Sequence, residues 1–429
     1  MKKLVFVLFV GIISFSGCQD TVTETVTYMI NEPVFMSAKA FRESVKVTTQ
    51  AAVISNHGKM CFYNGFIYIS EVEKGIHIID NRNPSNPRNV GFIELIGNAD
   101  LAIRNGKLYA DSFVDLVWFD ISNPARPVLE GRLENVFHGA LPMPDNHFGF
   151  DWQYRHDYDG SKGVIVGWKL ARRTEPVTNH RWGWGRGDQI SRTDMALTNN
   201  SSGGSSVGSS VGLVGSMSRF AIYKDYLYTV INNHMSIIDL SGSVPVKAVE
   251  NIHIGWNVET IFSYKDNMFM GSPWALIIYS VADPLKPEFM SWTGHVFGCD
   301  PVVVENDIAF VTVHSDNLCG QDANILKILD VSDVRNPKHI VTYSMTKPKG
   351  LGIDNGILFV CDDGLKIFDA SNPQTLMANV LAHYRGMEGY DVIPFNGILM
   401  MIADDGLYQY DYSDLTNIRQ ISKLPIVRK

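Results

Sequence analysis

Several things are scarce in this chain of 429 residues, and each scarcity removes a class of function. Five cysteines with no CxxC pair leave no cysteine-rich zinc module and no disulfide scaffold. HExxH and phosphate-cradling glycine motifs are missing, so no metal and no nucleotide cofactor is expected. The Ser-x-Asp-x-Gly-x-Thr-Trp boxes of sialidases are also absent. Lysines and arginines form no run, and the formal charge is −8, which argues against a nucleic-acid partner. Beyond the first residues no apolar stretch is long enough to cross a bilayer.

What is present begins with MKKLVFVLFVGIISFSGCQD. Two lysines, an apolar run over 4–15 and a small-residue end describe an export signal, too short for a mature membrane helix. Phe15-Ser16-Gly17-Cys18 resembles a bacterial lipobox, which makes Cys18 the expected lipid-attachment residue. The expected organisation is a signal peptide at 1–17, a lipidated tether at 18–32 and one globular body at 33–429. The expected location is the cell envelope, at the outer membrane, facing the periplasm or the outside, as a monomer. Export permits disulfides, and Cys299 and Cys319 flank a strand and its hairpin partner, so these two are expected to pair. Cys61 and Cys361 sit inside apolar strands and read as buried thiols.

The body repeats one phrase: a short apolar strand, an aspartate and a turn, as in LVWFDISNP at 116–124 and LKIFDASNP at 365–373. Its terminal positions are Asp80, Asp120, Trp168, Asp239, Ser280, Asp330, Asp369 and Asp411. Spacings run from 39 to 50 residues except the 71 between Trp168 and Asp239. Asn-Gly hairpins recur upstream at Asn64-Gly65, Asn105-Gly106, Asn355-Gly356 and Asn396-Gly397, with Lys224-Asp225 and Glu305-Asn306 in the same role. Four short strands per period of this length make an all-β fold, a β-propeller of four-stranded blades. Eight units are counted, with seven blades as the alternative. The aspartates read as Asx-turn formers rather than catalytic groups.

The phrase at 116–124 and the CDPVVV…AFVTV…CG stretch at 299–320 resemble the LVIVD-repeat proteins, exported bacterial β-propellers that include Bacteroidetes-type lipoproteins. The resemblance runs from about Asn31 to Pro425. It implies fold and export and brings no catalytic or ligand residue with it.

In a propeller the first strand of each blade lines the central channel, so residues at the strand starts converge. Those positions hold Lys59, Asp100, Ala140, Arg219, Thr260, Asp300, Gly350 and Asp391, with Glu259 beside Thr260 and with His57 and His138 just upstream of their own members. His57, Lys59, Asp100, His138, Arg219, Glu259, Asp300 and Asp391 form the candidate ligand site at the channel mouth. Enlarged loops emerge at the same end, chief among them a flexible insertion at 178–217. Its Arg181, Trp182, Trp184 and Arg186 offer stacking contacts. Ten of the twelve residues at 201–212 are Gly or Ser, which reads as a flexible linker. The GSSVG within it lacks the strand and helix that a nucleophile elbow needs.

The expected function is that of a non-enzymatic binding module, held to the membrane by its N-terminal lipid and capturing a protein or glycan. The alternative is a carbohydrate-active lyase or hydrolase using Asp100, Asp300 and Asp391, since paired carboxylates are the requirement for that chemistry.

Overall fold

The computed structural model describes residues 25–427 apart from 138, 152, 157–159, 177–200, 203–210, 232, 256–257, 295–300 and 315–323. Cys18, His138, Arg181, Trp182, Trp184, Arg186, Cys299, Asp300 and Cys319 lie outside the described residues.

The described residues build seven four-stranded antiparallel blades: blade 1 (57–94), blade 2 (101–133), blade 3 (220–253), blade 4 (260–294), blade 5 (302–344), blade 6 (351–384) and blade 7 (389–425). Strands A to D of each blade follow chain order, and the A strands of neighbouring blades lie against one another around the axis. In blade 2 the four strands are Leu101–Arg104, Lys107–Ser112, Asp115–Asp120 and Val128–Leu133.

Two turn devices repeat in every blade. The A–B hairpin passes through a left-handed residue, namely Asn64, Asn105, Lys224, Lys265, Asn306, Asn355 or Asn396, at φ of 47° to 53°. Such turns match the right-handed twist of the strands they join, which is why Asn and Gly collect there. In blade 5 the left-handed pair is Asn306-Asp307 and not Glu305-Asn306, because Asn and Asp tolerate positive φ better than Glu. After strand C, the carboxylates of Asp80, Asp120, Asp239, Asp330, Asp369 and Asp411 accept the N–H two residues on at 2.7–3.2 Å. Ser280 does the same with its hydroxyl, at 3.4 Å from the Ala282 N. The repeated aspartate is therefore a turn-former, and a bulge between strands C and D follows in all seven blades.

The eighth unit is not a blade. Val164–Pro176, which contains Trp168, pairs with Thr25–Met36 in a long two-stranded ribbon. Trp168 has no carboxylate to close an Asx turn, and its indole Nε1 donates instead to the Pro142 carbonyl at 2.7 Å. The same ribbon corrects the tether, because Thr25 to Glu32 is strand paired with Lys169 to Pro176. The short helix Ala38–Arg42 then docks on blade 2, with Phe41 buried near Phe113 and Arg42 Nε 2.9 Å from Asp115 Oδ2. Lys46–Thr48 adds a further strand to the outer edge of blade 1.

Blades 7 and 1 close the ring by packing, with no shared strand. Ile54, Met60, Ile67 and Ile69 meet Ile393, Met400, Ile402 and Leu407 in one apolar cluster. Buried Asn81 and Gln409 exchange amide hydrogen bonds across the seam, and Ser422 Oγ donates to Pro84 O at 2.6 Å.

Candidate functional site

The A strands start at one end of the channel, here called the upper end, where Lys59, Asp100, Arg219 and Asp391 come together. Lys59 Nζ lies 4.0 Å from Asp100 Oδ2, and Arg219 Nε lies 3.8 Å from the same oxygen. Asp391 of blade 7 belongs to the same electrostatic group, since its charge acts on Lys59. His57 is buried against the Tyr390 ring at 4.9 Å, on the blade 7 side. Glu259 lies half-buried beside Thr260 at the head of blade 4. Ala140, counted as a strand start, belongs to the loop before the ribbon and not to a blade.

The channel mouth is filled by the chain itself. Leu213 and Val214 pair with Phe62 and Cys61 on the free inner edge of blade 1. Gly212 N donates to Ile103 O of blade 2 at 2.7 Å, Ile261 N of blade 4 donates to Ser218 O at 3.0 Å, and Leu351 N of blade 6 donates to Ser216 Oγ at 2.6 Å. Residues 211–219 thus climb the axis from the lower ends of the A strands to the upper ones, touching five blades. Ser201–Ser202 pairs with this segment as well. The insertion expected to be flexible therefore ends in a docked channel strand.

That segment takes up the candidate site's polar groups. Lys59 Nζ donates to Met217 O at 2.5 Å. Asp391 Oδ1 accepts from Ser216 N at 2.8 Å, from Ser216 Oγ at 3.1 Å and from Val392 N at 3.0 Å. Asp100 accepts from Ser218 Oγ at 2.8 Å, Arg219 N at 2.7 Å and Leu101 N at 2.9 Å. Both carboxylates are fully buried. Burial raises Asp391 well above the usual carboxylate range, because its neutral form is the better tolerated one. Burial also lowers Lys59 to about 8 against the opposing pull of Asp100, and lowers His57 to about 4.

Sequence reasoning missed Gly215, Ser216, Ser218 and Asp111. It also missed a second recurrent carboxylate, the acid ending strand B. Glu71, Asp111, Asp362 and Asp404 each accept backbone N–H groups from the segment that leads into their own blade. The signal was readable in YISE, LYAD, FVCD and MIAD at the ends of those strands. Cys61 and Cys361 are buried free thiols, as expected. Among the described residues no group of three His, Cys, Asp or Glu is placed to hold a metal.

A family model described as the LVIVD repeat matches residues 60–93, 100–134 and 214–245. These are blade 1, blade 2 and the channel segment running into blade 3. No curated protein matches the chain. Among solved structures, the Pseudomonas aeruginosa periplasmic gluconolactonase PpgL is 8% identical, with 89% of this chain and 97% of its own covered, at a TM-score of 0.50. Kluyveromyces lactis Hsv2p is 10% identical over 87% of this chain and 99% of its own, with a TM-score of 0.48. The computationally designed Ika8 protein is 8% identical over 88% and 89%, with a TM-score of 0.48. At these identities the likeness extends to the fold alone. Carrying three such repeats, and with seven blades in its described residues, the chain is an LVIVD-repeat β-propeller.

Proposed function

We propose that the protein is a non-enzymatic interaction module of the cell envelope, anchored through Cys18, whose upper face captures a protein or glycan. The observation that carries this reading is the state of Asp100 and Asp391. Acid–base hydrolysis or elimination needs two carboxyl groups open to substrate. These two are buried and hydrogen-bonded to the chain's own 216–219 segment. Recognition on the rim is favoured by the side chains it exposes. Trp274, in the B–C turn of blade 4, is 55% exposed, and Trp292 on the neighbouring strand D is 65% exposed. Indole faces of this kind stack on sugar rings and on apolar peptide groups.

The test is a glycan array and an envelope pull-down with the full-length protein. Trp274→Ala with Trp292→Ala, or deletion of 178–200, is expected to abolish capture, while Asp100→Asn leaves it intact. Release of product from an envelope polysaccharide, lost in both Asp100→Asn and Asp391→Asn, would overturn the non-enzymatic reading. Cys18→Ser is expected to move the protein from the membrane fraction to the soluble one.

A further inference from the structure

A cavity of about 90 Å³ opens on the upper face where blades 1, 2 and 3 meet. Its walls are apolar, with Phe113, Phe150 and Trp168 among them, and its polar groups are Glu73, Asp111 and Arg219. The roof is fixed in place. Trp168 is tied to Pro142 O and lies 5.0 Å from the Phe150 ring, and Asn31 Nδ2 donates to Asp145 O and Phe148 O at 2.9 and 2.8 Å.

The polar groups are unequally satisfied. Arg219 is 18% exposed, and its guanidinium makes only long ion-pair contacts, 3.8 Å to Asp100 and 3.7 Å to Asp111. Its one hydrogen bond to these acids is made by its backbone N. Among the described residues the planar fork donates no hydrogen bond to protein, although it carries five N–H donors suited to a carboxylate. Glu73 is held in the left-handed region at φ 61° by the tight turn between strands B and C of blade 1. Its carboxylate accepts one bond, from Met143 N at 2.8 Å, and among the described residues no cation pairs with it. Asp111 Oδ1 is occupied by Ala99 N, Asp100 N and Asn98 Nδ2.

The pocket thus offers, inside apolar walls, a guanidinium whose N–H donors are unused although two acids flank it, and a carboxylate that no cation among the described residues pairs with. A phosphate dianion would bring two net negative charges beside Glu73 and Asp111, whereas a zwitterion brings none. A simple carboxylate would leave Glu73 opposite nothing it can bind. We propose that this pocket binds a small zwitterionic amino acid, its carboxylate on Arg219 and its ammonium on Glu73. The roof of prolines and aromatic rings then packs on a short side chain. This pocket is separate from the rim proposed above and stands or falls independently of it.

Calorimetric titration and thermal shift of the full-length protein test the proposal, with glycine, alanine and serine as zwitterions, propionate as the carboxylate alone and ethylammonium as the cation alone. The zwitterions are expected to bind and raise the melting temperature, with each half-ligand at least roughly tenfold weaker, because each lacks one charge-assisted hydrogen bond. Arg219→Gln is expected to lose binding. Glu73→Gln, which leaves the buried Asp100 and Asp111 contacts untouched, is expected to weaken alanine by about tenfold and leave propionate unchanged. Absence of binding by all five probes would overturn the pocket. Equal binding of alanine and propionate, or no effect of Glu73→Gln on alanine, would overturn the assignment of Glu73.

Discussion

Gly215→Ala separates a docked channel strand from a loose linker by the sign of its effect. In a linker, replacing Gly by Ala at a residue without positive φ stabilises by about 0.4–1 kcal/mol, because the unfolded chain loses freedom. In the channel, a Cβ on residue 215 would stand 1.9 Å from Asp391 Oδ2 and 2.7 Å from its Cγ. The carboxyl must move by more than an ångström, and it is the group that holds Ser216 N and Oγ. Overpacking costs about 1–3 kcal/mol and the loss of hydrogen bonds to a buried carboxyl about 1.5–3 kcal/mol. A destabilisation of about 3–5 kcal/mol is therefore expected, read as a shift of the urea midpoint at unchanged m. Gly167→Ala in the ribbon is the internal control, since nothing lies within 4 Å of its added Cβ. Asp391→Ala removes the clash, so the double variant is expected to fall short of additivity by at least about 1 kcal/mol. If Gly215→Ala behaves as Gly167→Ala does, the channel strand is wrong.

Three further expectations concern other parts of the ring. Burial lifts Asp111 to about 6, so the folded state keeps a proton that the unfolded chain releases near 3.8. That contribution is complete below pH 3.8 and is lost as pH rises through 6. Measured against Asp111→Asn by denaturation at each pH, the wild type is expected to lose about 3 kcal/mol over that window. Asn81→Ala leaves the buried Gln409 amide unpaired at the closing seam and is expected to cost about 1–3 kcal/mol in the same assay. Asp120→Ala removes the acceptor for Ser122 N and Oγ and is expected to cost about 1 kcal/mol, whereas a catalytic role would leave stability unchanged and abolish a turnover.

The blades were legible because their determinants are local. An Asx turn spans two residues and an Asn-Gly hairpin four, so each copy announces itself in the sequence. The count failed at Trp168 for the opposite reason. VIVGW has the composition of a blade's third strand, but its partner is Thr25–Met36, more than a hundred residues earlier, and no local signal records that pairing. The absence of both an Asn-Gly hairpin and a turn-forming acid around Trp168 was the available warning. The channel-mouth residues were found by counting back from the hairpin turns, which fixes where Lys59, Asp100, Arg219 and Asp391 lie. What they bind was not legible, because Ser216 and Asp391 are 175 positions apart, and Ser218 and Asp100 are 118 apart.

Gly212, which closes the Gly/Ser run, has a steric reason to lack a side chain that composition alone does not distinguish from flexibility. Seven inner strands leave a narrow axis, and the strand that enters it approaches backbone on several sides. A Cβ on Gly212 would meet Cys61 Sγ at 2.6 Å and Ile103 Cβ at 2.9 Å. Residues without bulk are what such an axis admits, and serines add hydroxyls where polar strand starts need partners. Lys59, Asp100 and Asp391 would each be expensive to bury alone. The entering strand supplies Met217 O to the lysine and Ser216, Ser218 and Arg219 N to the two carboxyl groups, so these buried polar groups and the strand stabilise one another. With the axis closed in this way, the rim is the surface to which the proposed capture is assigned. The exposed indoles of blade 4 lie there, apart from the pocket of Glu73 and Arg219.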